Sequence, residues 1–311
     1  MEYIKPDVIE KDILNLINNL FLESTNSIEP VSTGQIANTY RFTNNGVGYY
    51  INFINDNMAH VIRNELFLKD RLVSNSIPIR NIVKIGTLND IKYMISEKVE
   101  GQPIHLIESD LHDLFLTSVM DVLYKIANVD INDTSGYGWF NNECNGSFGT
   151  WAEQLLQIKD EDPNDFYGEW HNLFQSSFLD KTIFYAYYRK MESLIKNIPN
   201  IRNLVHGGFA GGNVLISGNH VSAVIDWSDS RYGDNVFDIA YILFWYPEDL
   251  AKKYEKAFCL MSSENGICMD NIEDRIKCYK YYIGLDSLRF FAKKKDKSSY
   301  DFTLKVLSAI K

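Results

Sequence analysis

The chain has 311 residues, 45 % of them hydrophobic and 14 % aromatic, which excludes a disordered tail and suffices for an extended core. Lysine and arginine number 31 against 41 aspartates and glutamates, giving a net charge of −10. That balance argues against a nucleic-acid binder or a polybasic membrane binder; an acidic surface suits a cationic partner, but acidity alone is mostly a solubility trait.

The first twenty residues carry acids from Glu2 onward and lack the basic-then-apolar order of a secretion signal. Apolar residues at helical spacing over 8–23 predict an opening amphipathic helix. Residues 28–54 then alternate as strands around a Gly-containing turn and an Asn-Asn-Gly turn. A helix over about 58–73 carries Glu65, and beyond Pro78 the segment VKIGTLNDIKYMISEKV predicts a second hairpin. After Gly101-Gln102-Pro103 the pattern turns helical, with helices expected over 107–128, 181–198, 247–260 and 272–293. Between them lie a loop-rich stretch, 132–150, and a strand–loop–strand near 204–226. The expected architecture is α+β with two lobes: a β-rich lobe over 1–100 and a helical lobe over 101–311. Small ligands favour the seam between such lobes. The most apolar run, Ile239–Tyr246, falls far short of the roughly 20 residues that span a bilayer. The four cysteines form neither a CxxC pair nor a zinc-spaced cluster with histidine, as expected of a reduced cytoplasmic protein.

The most informative run is Leu204–Asp226, LVHGGFAGGNVLISGNHVSAVID. An apolar strand ends at a Gly-rich loop holding His206, Asn213 precedes a second strand, and Asp226 ends a third. An Asn and an Asp at neighbouring strand ends can aim oxygen atoms at one point, which suits Mg²⁺. The same two residues also serve commonly as turn caps, and composition alone does not decide between the roles.

LVHGGFAGGNVL followed by AVIDWSDSRYGD resembles the aminoglycoside phosphotransferase family, whose pattern is H-G-D-x-x-x-x-N and then I-D-W. The segments SGYGWF (135–140), ILFWYP (242–247) and YYIGLDSL (281–288) are similar to members of that family at corresponding places. The resemblance implies a bilobal protein-kinase-like fold, ATP or GTP as donor, Mg²⁺, and an aminoglycoside-like cationic acceptor. It also implies Asn213 and Asp226 as metal ligands, and Glu65 as the acid that pairs with a strand cation at the nucleotide phosphates. Ser32, Thr33 and Gly34, with Gln35, would form the nucleotide loop, and Glu97–Val99 would offer backbone groups to the adenine edge. His206 would be a structural histidine of the catalytic loop.

Two departures stand out. The catalytic-loop Asp of H-G-D is Gly208, which can neither accept a proton nor position a hydroxyl. The strand position expected to hold Lys or Arg is Asn52, and Tyr49–Asn55 contains no basic residue, so Glu65 is expected to lack a cationic partner. Asp229 and Asp234, in the loop after Asp226, are the candidate substitutes, though loop capping is the commoner role of such residues. For a cationic acceptor the candidates are the acid-rich segment 160–169, Asp229, Glu273, Asp274 and Asp286. The expected function is ATP-dependent O-phosphorylation of an aminoglycoside-like molecule, impaired at Gly208; the alternative is an inactive, pseudokinase-like binding protein.

Overall fold

The computed structural model describes residues 5–22, 24–32, 34, 36–162 and 166–310, Asn57 by its backbone only. Thr33 and Gln35, expected in the nucleotide loop, lie outside the described residues.

The first sheet comprises β1 (Glu29–Val31), β2 (Asn38–Asn44), β3 (Val47–Ile54), β4 (Ile82–Leu88) and β5 (Ile91–Glu97). Its order is β1-β2-β3-β5-β4, with every pair antiparallel. Both hairpins close through left-handed pairs, Asn45 and Gly46 (φ 48° and 75°) and Asn89 and Asp90 (φ 49° and 65°). Such pairs match the twist of the strands they join, and Asn, Asp and Gly tolerate them best. Helix α1 (Glu10–Leu20) buries Ile13 and Ile17 against Tyr40, Phe42, Ile51, Phe53, Tyr93 and Ile95. Helix α2 (His60–Ser74) covers the opposite face, where Val61 and Ile62 meet Ile54 and Met94. Strand alternation therefore puts Asn52 on the α2 side, with Ile54. Further along α2, Leu68 and Leu72 join the core of the larger lobe, so α2 is shared packing between the lobes.

The larger lobe continues through β6 (Gln102–Pro103), α3 (Leu116–Ala127), β7 (Tyr137–Phe140), β8 (Gly146–Phe148), α4 (Trp151–Leu156), α5 (Leu173–Ser176) and α6 (Lys181–Leu194). Then come β9 (Asn203–Val205), β10 (Val214–Ser217), β11 (His220–Val224), β12 (Arg231–Gly233), α7 (Val236–Trp245), α8 (Glu248–Glu264), α9 (Ile272–Lys293) and α10 (Lys297–Ala309). Two small sheets, β11-β10-β6 and β8-β7-β12-β9, lie next to the lobe seam. Local chemistry starts several helices: Thr150 and Glu153 form a reciprocal capping box on α4, and Asp180 and Asp296 cap α6 and α10.

The helix expected over 107–128 forms only from Leu116, after a 3₁₀ stretch at Ser109–Leu114. The loop-rich stretch 132–150 holds the short strands β7 and β8. The apolar run judged too short to span a bilayer lies in α7, a helix enclosed on almost every side by protein. Among the described residues no helix is long and apolar enough to cross a membrane. The fold is α+β and bilobal, a small antiparallel sheet with its helices beside a larger helical lobe.

Candidate active site

The loop after β9 is held from below by a carboxylate. Asp238 of α7 accepts the backbone N–H of His206 (2.8 Å) and of Gly207 (2.9 Å). Gly207 is left-handed (φ 85°), and a Cβ there would lie 2.3 Å from the Asp229 carbonyl oxygen, so only glycine fits. His206 is fully buried; its Nε2 donates to the Ile225 carbonyl (3.1 Å) and its Nδ1 accepts the Gly208 N–H (3.2 Å). Desolvation pushes its pKa down to about 4 against the pull of Asp226, so the ring stays neutral with both nitrogens engaged. It is a structural histidine and not a base. Gly208 leaves the loop without a carboxylate, although a Cβ there would be 3.3 Å from Asn213 Nδ2 and 3.9 Å from His206 Nδ1.

The β10–β11 hairpin brings Asn213 and Asp226 together. The Ile225 N–H donates to the Asn213 carbonyl (2.9 Å), and Asn213 Nδ2 donates to the Gly208 carbonyl (3.0 Å). Asp226 is left-handed (φ 63°, ψ 69°), a conformation costing a non-glycine residue about 1–3 kcal/mol, and Ser228 Oγ donates to its Oδ1 (2.6 Å). Among the described residues Asn213 Oδ1 and Asp226 Oδ2 thus remain without hydrogen bonds, one oxygen from each residue. That donor pair fits a hard cation completed by phosphate and water oxygens. Among the described residues no cluster of three or more His, Cys, Asp or Glu forms a metal site by itself. Trp227 is buried against the His206 ring, with centroids 4.6 Å apart.

At the other end of the cleft the structure corrects one expectation. Asn52 carries no charge, but Glu65 is paired: Arg80 donates to both carboxylate oxygens, through Nε (3.1 Å) and through Nη2. Both side chains are largely buried, 5 % and 17 % exposed. The cation comes from the turn after α2 and not from β3. The Ile77 N–H returns to the Leu72 carbonyl (2.9 Å) and Ser76 is left-handed, reversing the chain toward the helix it has just left. Asn52 donates through Nδ2 to Thr39 Oγ1 (2.8 Å), and its buried Oδ1 has no partner. Glu97 ends β5 with its N–H on the Asn81 carbonyl, Lys98 donates to the Gly48 carbonyl, and Val99 makes no hydrogen bond among the described residues. Ser32 follows β1, and the Gly34 carbonyl accepts Lys5 Nζ (2.8 Å).

On the helical side Asp229 is exposed to solvent. Desolvation raises its carboxyl to about 6, opposed by Arg231 and reinforced by Asp226 and Asp286. Asp286, 41 % exposed, accepts Arg289 Nη2 (2.8 Å), and the Arg289 guanidinium lies 4.1 Å from the Tyr167 ring centroid. Tyr241 feels both carboxylates, and its hydroxyl is held well above its ordinary pKa, chiefly by desolvation. Within the acidic segment 160–169, Tyr167 Oη donates to the Asp286 carbonyl (3.4 Å) and Glu161 accepts the His171 N–H (2.7 Å); residues 163–165 lie outside the described residues. Glu273 and Asp274 are not brought to this group. They start α9, where Asp274 accepts Asn197 Nδ2 (2.7 Å), about 18 Å along the helix from Asp286.

Asp234 is no spare acid: it is fully buried, taken by Arg275 (Nε 2.7 Å, Nη2 2.6 Å) and by the Tyr279 hydroxyl. Three residues that hold the candidate site together escaped sequence reasoning: Arg80, Asp238 and Arg231. Arg231 is buried beneath the loops, its Nε on the Asp229 carbonyl (3.0 Å) and its guanidinium near the rings of Trp139 and Phe237. An acid directly before the most apolar run of the chain was the available signal for Asp238, because carboxylates are almost never buried unpartnered.

A β lobe and a helical lobe, with an Asn–Asp pair at strand ends beside a histidine-anchored loop, define a kinase-like phosphotransferase architecture. The chain belongs to the phosphotransferase enzyme family, whose profile matches residues 27–266. It is 24 % identical over 293 residues to the hygromycin-B 4-O-kinase of Escherichia coli, covering 91 % of this chain and 80 % of that protein. Among solved structures it is similar to the aminoglycoside phosphotransferase APH(4)-Ia, in apo form at TM-score 0.79 and 23 % identity over 97 % of this chain and 98 % of that one. A ternary complex of that enzyme with AMP-PNP and hygromycin B matches at TM-score 0.78 and 24 % identity, over 97 % of each chain. The streptomycin–ATP complex of APH(2")-IIa matches at TM-score 0.65 and 16 % identity, also over 97 % of each chain.

Proposed function

We propose that the protein transfers the γ-phosphoryl group of ATP to a hydroxyl of an aminoglycoside-like polycation, at a rate limited by glycine at the catalytic-loop position. Residues 1–100 would hold the nucleotide and residues 101–311 the acceptor. The observation that carries this reading is the Asn213–Asp226 pair, each residue keeping one oxygen without a hydrogen bond, beside the loop at Gly208. These oxygens would hold Mg²⁺, which when bound to ATP offsets the negative charge of the phosphates. Asp229 and Asp286 offer carboxylates to the acceptor's ammonium groups, and Tyr241 stands beside them. The kinship with a hygromycin-B kinase and with a fold solved around AMP-PNP and hygromycin B supports both the nucleotide and the acceptor class.

Phosphoryl transfer has a loose transition state in which metal and positioning supply much of the rate. A positioned base contributes roughly 10²–10⁴-fold, so its absence slows transfer without removing the site. The same glycine favours a second reading, a binding protein without transfer. The deciding experiment incubates the protein with Mg-ATP or Mg-GTP and a panel of aminoglycosides including hygromycin B. The expected product is the antibiotic heavier by one phosphoryl group. Measurable nucleotide or antibiotic binding without product for any acceptor would leave only the binding reading.

A further inference from the structure

Every kinase-like cleft that holds a nucleotide triphosphate needs positive charge opposite the phosphates, and β3 supplies none here. Asn52, on the α2 side of the sheet, is neutral and is held by Thr39. Of the sheet cations, Arg41 and Lys92 are committed to exposed pairs with Glu29 and Asp56, and Lys84 is exposed and registered opposite Ile95 on the α1 side of the sheet. Arg80 differs. Its Nε and Nη2 edge is spent on Glu65, while Nη1 makes no hydrogen bond among the described residues and is not sealed from solvent. Glu65 therefore acts as a clamp that orients the guanidinium and leaves one edge open.

The backbone places that edge. The Pro78 carbonyl accepts the Val224 N–H (2.8 Å), two residues before Asp226, and the Asn81 carbonyl accepts the Glu97 N–H (2.9 Å) at the lobe seam. Asn64, beside Glu65, donates to the Ser228 carbonyl (3.2 Å), tying the same turn of α2 to the loop that follows Asp226. Arg80 thus stands at the rear of the cleft, between the strand that ends at the seam and the strand that ends at the metal-binding aspartate. We propose that Arg80, held by Glu65, contacts the nucleotide phosphates and replaces the missing strand cation; this rests on the nucleotide reading given above. A guanidinium suits the task because it is permanently charged and offers several donors in one plane to phosphate oxygens.

The test compares adenosine, ADP and Mg-ATP binding to the full chain by calorimetry, for the wild type and Arg80→Gln. The expected result is a loss of about 10–100-fold for Mg-ATP, a smaller loss for ADP and none for adenosine. A merely structural role would weaken all three alike. Because Arg80→Gln leaves Glu65 as a buried unpaired carboxylate, Glu65→Gln/Arg80→Gln is measured beside it and should show the same phosphate-dependent loss. Adding Asn52→Lys to Arg80→Gln should restore ATP affinity, since it returns a cation to the strand within the same Glu65 clamp. Equal losses for adenosine and ATP, or no loss in the doubly neutral variant, would overturn the assignment while leaving the nucleotide reading intact. A wild type that binds neither adenosine nor ATP would overturn both.

Discussion

Restoring a carboxylate to the catalytic loop tests the chemistry most directly. Gly208 has no left-handed φ, and a Cβ there would meet only Asn213 Nδ2 at 3.3 Å and His206 Nδ1 at 3.9 Å. The first contact is tight by a few tenths of an ångström and faces an amide that can donate to the new carboxylate. Replacing glycine also reduces the freedom of the unfolded chain by about 0.4–1 kcal/mol, which opposes any crowding cost. Gly208→Asp is therefore expected to fold, with stability within about 1 kcal/mol of the parent. Its rate should rise about 10²–10⁴-fold, equivalent to roughly 3–5 kcal/mol off the barrier at 1.36 kcal/mol per decade. The assay follows ADP release and the mass of the antibiotic under saturating Mg-ATP and hygromycin B. The KM for ATP should move little, because the new group touches the acceptor hydroxyl and not the nucleotide. If Gly208→Asp binds both ligands as the parent does and kcat fails to rise, the missing carboxylate is not what limits transfer.

Asp226→Ala should abolish the Mg²⁺-dependent part of ATP affinity, measured by titration with and without EDTA; unchanged binding would exclude the metal role. The Asp229 carboxyl, raised to about 6, should ionise mainly between pH 5 and 7, so aminoglycoside affinity should climb through that window. Asp229→Asn should flatten the climb, and a climb that survives would assign it to another group. The sign for folding is opposite: a folded pKa above the unfolded one means the native state binds extra protons between about pH 4 and 6. The group's contribution to stability therefore falls as pH rises, and chemical denaturation of Asp229→Asn should show a shallower fall. Asp234→Ala strands Arg275 in the core and should cost about 3–5 kcal/mol, read as a shift in the denaturant midpoint; a shift below about 1 kcal/mol would contradict the role given to the pair.

Local signals made much of the fold legible. Alternation and turn chemistry over 28–54 and 83–99 predicted the hairpins, and the expected helix over 272–293 coincides with α9. Helix α7 escaped because a helix apolar all round has no amphipathic period to detect. The site was legible where it follows a short motif, as at His206, Asn213 and Asp226, whose partners stand at adjacent strand ends. It was illegible where partners meet through the fold.

The sequence by itself determined which chemistry is present and which is absent: an Asn–Asp pair able to take a hard cation, a loop without its carboxylate, and a strand without its cation. No folding can supply an oxygen where residue 208 is glycine. Only the tertiary structure decided which side chains serve each other. It gave Arg80 to Glu65 by turning the chain back after α2, gave the Asp238 carboxylate to the catalytic loop, and took Asp234 out of contention by burying it on Arg275. A buried charge must find a partner of opposite sign or a pair of donors, and that demand is met by proximity in space, whatever the separation along the chain.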